Sequence, residues 1–119
     1  VCFAGDGCFQ MTLNEMSTAV QHGATPVVIV ANNGRYGTIR MHQERRFPAR
    51  TVATDIVNPD FAALARAYGA YGATVTRTDE FDDALSAALA ADTPALLHLL
   101  LDPEAITPTA TLSELSAGR

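Results

Sequence analysis

The stretch PVVIVANN, residues 26–33, constrains the fold more than any other part of the chain. Its β-branched residues run on without polar alternation until two asparagines end them. That is the pattern of a strand buried on both faces, and such strands belong to parallel sheets covered by helices. Strands and helices alternate around it. Val1 to Ala4 reads as a short buried strand, and Gln10 to Gln21 carries Met11, Leu13, Met16, Ala19 and Val20 at helical spacing before His22-Gly23 stops it. After a polar, arginine-rich stretch from Arg35 to Arg50, Asn58-Pro59-Asp60 reads as a helix cap with a proline in the first turn, and the alanine-rich DFAALARAYG follows. YGATVTR is then a strand, TDEFDDALSAALAAD a helix with acidic residues in its first turn, and PALLHLLL a last strand. The order predicts an α/β fold with a mainly parallel sheet flanked by helices. Residues 1–101 are expected to form the domain, and residues 102–119, rich in Pro and Thr, a surface tail with a short helix.

With 48% hydrophobic residues among 119, the chain has enough apolar side chains for a sizeable core. Its formal charge of -5 offers no electrostatic footprint for nucleic acid or for an anionic membrane surface. The apolar run ALLHLLL is too short to span a bilayer. Cys2 and Cys8 fall in no metal-ligand or disulfide-framework spacing, so a reducing, cytoplasmic setting is expected.

Ligands of open α/β sheets bind beyond the carboxyl ends of the strands. Gly5-Asp6-Gly7 stands at the end of the first strand and Asn32-Asn33-Gly34 at the end of the second. In a parallel sheet these ends point the same way, so Asp6 and Asn33 are expected to converge on one ligand. Glycines let the backbone approach an anion, and the first turn of a following helix offers free N–H groups. One carboxylate and one amide oxygen are hard donors that suit Mg2+, which completes its octahedron with phosphate oxygens and water. A backbone carbonyl just past the second turn would supply a third protein ligand. Two other readings stay open: an α/β binding or assembly module without a cofactor, and a dinucleotide site. The latter lacks a third glycine at the required offset.

GDG followed after 24 intervening residues by NN resembles the diphosphate-binding motif of thiamine diphosphate-dependent enzymes. The longer stretch GDGCFQMTLNEMSTAVQHGATPVVIVANNGRYGTIRMHQE is similar to the C-terminal cofactor domain of the group that holds acetolactate synthase, benzoylformate decarboxylase and pyruvate decarboxylase. The resemblance covers Val1 to about Leu101. It implies thiamine diphosphate and Mg2+ as cofactors, with Asp6 and Asn33 as side-chain ligands of the metal and Arg35 as a ligand through its backbone carbonyl. Gly5, Gly7, Cys8 and Phe9 would lie along the cofactor through main-chain atoms, and Tyr36, Gly37 and Thr38 would close over the diphosphate.

The same resemblance implies what this chain lacks. The glutamate that protonates the aminopyrimidine of the cofactor would come from a pyrimidine-binding domain of a partner subunit, in a homodimer or homotetramer. The opening strand and helix of the domain would precede residue 1, and these 119 residues would be inactive alone. The implied substrate is a small 2-oxo acid, decarboxylated and ligated as in acetolactate synthase. A benzoylformate-type decarboxylase is the alternative, because NNGRYGTIR fits that branch equally and Met41-His42-Gln43-Glu44 stands where acetolactate synthases have a Gln-Trp-Glu-like stretch. His98 is expected as a buried or half-buried strand residue, His22 as a helix-end residue and His42 on a helix.

Overall fold

A computed structural model describes residues 1–117; Gly118 and Arg119, the end of the expected tail, lie outside the described residues. In chain order the elements are β1 (Cys2–Gly5), α1 (Asp6–Gln10), α2 (Glu15–Gln21), β2 (Val27–Asn32), α3 (Gly37–Arg46), α4 (Phe61–Ala67), β3 (Tyr71–Val75), α5 (Phe81–Leu89), β4 (Ala95–Leu100) and α6 (Leu112–Ser116). They divide into two units, one of residues 1–32 and 58–100, the other of residues 33–57 and those from 101 onward.

The first unit is the predicted layer. Its sheet has four strands in the order β1-β2-β4-β3, and every pairing is parallel. Successive strand residues point to opposite faces, and the burial pattern obeys this rule. Val28, Val30 and Leu96 pack on one face with Phe9, Met16 and Phe61 from the helices. Val27, Ile29, Ala95 and Leu97 pack on the other with Ala88 of α5. Both faces of β2 and β4 are therefore apolar, which is why their sequences show no polar alternation. Register places Gly5 opposite Ala31 and Val30 opposite His98, so Asp6 and Asn32 are the next residues at the carboxyl ends of β1 and β2.

β1, expected to be buried, is instead an edge strand with Cys2 and Phe3 exposed, because only one neighbour pairs with it, and two further details differ from expectation. The helix foreseen over Gln10 to Gln21 starts earlier, at Asp6, and breaks at Met11–Asn14 before resuming at Glu15. Across the break, Glu15 N–H donates to Thr12 O and Met16 N–H to Leu13 O, tighter turns than an α-helix makes. Asn14 and Thr12 are poor helix-interior residues, and helical spacing of the apolar positions alone could not show the interruption. The second difference concerns the cap of α4. Asp60, not Asn58, is its N-cap, accepting from Ala63 N–H at 3.0 Å. Asn58 is engaged elsewhere.

In the second unit, residues 33–57 fold back on themselves. Tyr36 N–H donates to Thr54 O and Ile56 N–H to Gly34 O, both at 2.8 Å, with Gly34 in the left-handed region at φ +67°. Arg40 ties the loop to α3: Nε donates to Glu44 Oε1 at 3.1 Å, and Nη1 to Thr54 Oγ1 at 3.2 Å and Asp55 Oδ1 at 3.3 Å. The Glu44 carboxylate is buried and receives Ala49 N–H at 3.0 Å, the main reason its pKa lies below the ordinary value. The tail is less superficial than foreseen. Thr111 and Glu114 form a capping box, and Leu112 and Leu115 of α6 are buried, with α6 packed on α3.

Candidate functional site

In the first unit, Asp6 is the first residue of α1 and is only 3% exposed. Burying a carboxylate is costly unless hydrogen bonds compensate it, and both of its oxygens have them. Gly7 N–H donates to Oδ1 at 2.9 Å, and Asn58 Nδ2 donates to Oδ2 at 2.6 Å. Asn58 reaches from the segment just before α4. Its amide nitrogen also donates to Asn32 Oδ1 at 2.8 Å, while its own oxygen accepts from Gln10 Nε2 at 2.6 Å. Asn32 Nδ2 in turn meets His98 Nε2 at 2.8 Å.

The carboxylate dictates the direction of this chain of bonds. An ionised carboxylate only accepts, so the NH2 side of Asn58 must face Asp6. The second hydrogen of that NH2 then points to the oxygen of Asn32, which turns the nitrogen of Asn32 toward His98. His98 Nε2 must therefore accept, and the ring carries its proton on Nδ1. Nδ1 lies 3.8 Å from Asp60 Oδ1, beyond hydrogen-bonding distance. Four side chains, from β2, β4, the start of α1 and the segment before α4, thus share one polarity that starts at Asp6.

His98 sits 5% exposed on β4 with its ring edge-to-face with Phe61, the centroids 5.1 Å apart. Burial holds its pKa below the ordinary 6.5, against the pull of Asp60 and Asp6. The folded protein therefore keeps a neutral ring, while the unfolded chain takes up a proton as the pH falls through about 6.5. By linkage, the stability associated with this site is complete above that pH and declines below it, toward the folded value. In the full-length protein, the fall in Tm between pH 7 and pH 5.5 should shrink in His98→Gln, whose oxygen can still accept from Asn32. Parallel Tm profiles for the two proteins would refute this account of His98.

The remaining site residues predicted from sequence are placed as follows. Gly5 ends β1, and a Cβ built there meets nothing within 4 Å, so the backbone at this edge is open to approach. Gly7, Cys8 and Phe9 follow in α1, Cys8 exposed and Phe9 in the core. In the second unit, Asn33 Oδ1 accepts from Arg35 N–H at 3.2 Å. Because Tyr36 N–H is directed at Thr54, the trans peptide turns the Arg35 carbonyl the opposite way. Gly37 opens α3 against Asn33: a Cβ there would lie 2.9 Å from Asn33 Nδ2 and 2.8 Å from Ile106 Cδ1. Tyr36 and Thr38 are exposed. Sequence reasoning missed Asn58 and assigned no role to Asn32; the available signal was a polar Asn immediately before Pro59-Asp60, where a second cap residue is redundant.

At the carboxyl ends of β1 and β2 the first unit offers the Asp6 carboxylate, the Asn32 amide oxygen and backbone carbonyls, all hard donors. Among the described residues, no three His, Cys, Asp or Glu side chains cluster as a metal cage. This donor set fits an ion such as Mg2+, which takes one or two carboxylates and fills its remaining positions with phosphate and water oxygens. It does not resemble a zinc site, which needs thiolates or imidazoles.

Comparison with known proteins identifies the class. Residues 1–99 match the family described as thiamine pyrophosphate enzyme, C-terminal TPP binding domain. The chain belongs to this family. It is 37% identical over 103 residues to the acetolactate synthase isozyme 2 large subunit of Escherichia coli, a match that covers 86% of this chain and 19% of that protein. It is 36% identical over 98 residues to the mitochondrial acetolactate synthase catalytic subunit of Saccharomyces cerevisiae, covering 82% of this chain and 14% of that protein. Among solved structures, the thiamine diphosphate-dependent 4-hydroxybenzoylformate decarboxylase of Rhodococcus jostii superposes with a TM-score of 0.77 at 32% identity, over 84% of this chain and 19% of that one. The benzoylformate decarboxylase of Polynucleobacter necessarius superposes with a TM-score of 0.79 at 26% identity, over 89% and 20%. The chain thus spans about a fifth or less of the length of these relatives, and the fold expected from sequence is the fold they share. No helix among the described residues is long and apolar enough to cross a membrane.

Proposed function

We propose that this chain is the metal-diphosphate half-site of an acetolactate synthase-like enzyme that decarboxylates a small 2-oxo acid and ligates the product. The observation that carries this reading is Asp6: a buried, oriented carboxylate at the carboxyl end of a parallel strand, inside a thiamine pyrophosphate-binding family match. Asp6 and Asn33 hold Mg2+ through side-chain oxygens and Arg35 through its carbonyl. Gly5, Gly7, Cys8 and Phe9 line the diphosphate by main-chain atoms, with Tyr36, Gly37 and Thr38 over it. When bound, thiamine diphosphate supplies the carbanion-stabilising chemistry that 2-oxo acid conversion needs, and the protein supplies position and charge.

The glutamate that acts on the aminopyrimidine belongs, in this proposal, to a pyrimidine-binding domain of a partner subunit in a homodimer or homotetramer. These residues alone are then inactive. The free cysteines Cys2 and Cys8 support a reducing, cytoplasmic setting. A second reading, a benzoylformate-type decarboxylase, is supported by the similarity to two solved decarboxylases.

The test uses the full-length protein. Thiamine diphosphate binding should depend on Mg2+, and Asp6→Ala should weaken it by about 100-fold or more, Asn33→Ala by about 10-fold or more. Arg35→Ala should retain metal-dependent binding, because the proposed contact runs through the backbone carbonyl, which the substitution leaves in place. Equal affinity in wild type, Asp6→Ala and Asn33→Ala would overturn the half-site and leave a binding or assembly module. Acetolactate formed from pyruvate supports the first reading; benzaldehyde formed from benzoylformate supports the second.

A further inference from the structure

We infer that Asn58 is a positioning residue that holds the Asp6 carboxylate in one rotational setting for the cation. The inference rests on the metal half-site proposed above and extends it to a residue outside the two motifs. The terminal torsion of an aspartate is broad, so an unrestrained carboxylate presents its lone pairs over a wide arc. Gly7 N–H takes Oδ1, and Asn58 takes Oδ2 at 2.6 Å, a short, charge-assisted bond. Held by a donor on each oxygen, the carboxylate has its plane set.

Asn58 can do this because its own amide is immobilised. Gln10 holds its oxygen, and its second hydrogen goes to Asn32, which is anchored on the buried ring of His98. Pro59 and the N-cap Asp60 follow immediately, so the backbone on its C-terminal side is restricted too. The chain of contacts runs from strand β4, through β2, to the carboxylate. This is the support a ligand needs if it is to meet a small, geometrically demanding ion, and mutating the partners behind a ligand typically costs about 10- to 100-fold in metal affinity.

A residue that only fills polar space would weaken all cations alike. Mg2+ demands near-ideal octahedral geometry, whereas Ca2+ accepts irregular sites. In the full-length protein, the apparent Kd of Mg2+ and of Ca2+ for supporting thiamine diphosphate binding is measured by circular dichroism. Asn58→Ala should raise the Mg2+ value by about 10- to 100-fold and the Ca2+ value by less than about 3-fold, narrowing the preference between them. Asn58→Gln keeps an amide and the bulk but shifts the donor by one methylene, and should narrow the preference in the same direction. Equal shifts for both cations, or none, overturn the inference. Unfolding of both variants, with unchanged preference in whatever remains folded, assigns Asn58 to the scaffold and overturns it too. Cation-independent binding by the wild type overturns the proposed function and the inference with it; cation-dependent wild-type binding with unaltered Asn58 variants overturns the inference alone.

Discussion

Gly72→Ala is expected to destabilise the first unit by about 3 kcal/mol or more, seen as a large loss of soluble full-length protein and a lowered urea midpoint. Gly72 lies in β3 where α4 crosses closest. A Cβ there would fall inside van der Waals distance of the Ala62 carbonyl oxygen and 3.0 Å from its carbon. Both sides of the clash are backbone, so no rotamer relieves it. The Gly72 carbonyl also accepts from Arg66 Nη1 at 2.8 Å, tying the strand to the same helix. Relief would require lifting α4, which carries Phe61 into the core and begins just after Asn58 and Asp60. A urea midpoint within experimental error of wild type would show that the strand and helix can separate freely, contrary to this packing.

Phe61→Ala should cost about 3–5 kcal/mol, the range for emptying a fully buried aromatic site. Phe61 is 0% exposed and packs edge-to-face with Phe9, the centroids 5.6 Å apart, and with the His98 ring. Its loss therefore removes the wall against which His98 is held, and His98 is the anchor of Asn32 and, through it, of Asn58. Phe61→Leu, closer in volume, should lose less on both counts. Thermal unfolding reads the first effect; Mg2+-dependent thiamine diphosphate binding, measured well below the unfolding temperature, reads the second. If Phe61→Ala lowers Tm but leaves the Mg2+ dependence intact, the polar chain is held by its hydrogen bonds without the ring behind it.

Much of the fold was legible in the residues because its signals are local. An unbroken β-branched run in β2, the apolar PALLHLLL of β4, glycines after α2 and α4 and an acidic first turn in α5 each report a backbone preference that tertiary structure had no reason to overrule. That Asp6 and Asn32 stand at neighbouring strand ends was legible for a related reason: parallel strands carry their carboxyl ends to one edge of the sheet. Asn58 was not legible as part of the site. Residues before Pro-Asp read as cap chemistry, and its partners Asp6 and Asn32 are distant in sequence. The burial of α6 was hidden for the same reason, since a short polar-rich segment gains its apolar partners only from α3.

The amino-acid sequence by itself determined the layer architecture and the parallel sheet, because hydrophobic period and turn residues are properties of neighbouring positions, and its resemblance to a known family carried the cofactor class. Tertiary structure alone decided which amide faces the carboxylate of Asp6, which nitrogen of His98 carries the proton and which residue caps α4. Those choices depend on donors and acceptors meeting across the sheet. An asparagine has the same hydrogen-bonding groups wherever it stands, and only its surroundings assign them a direction.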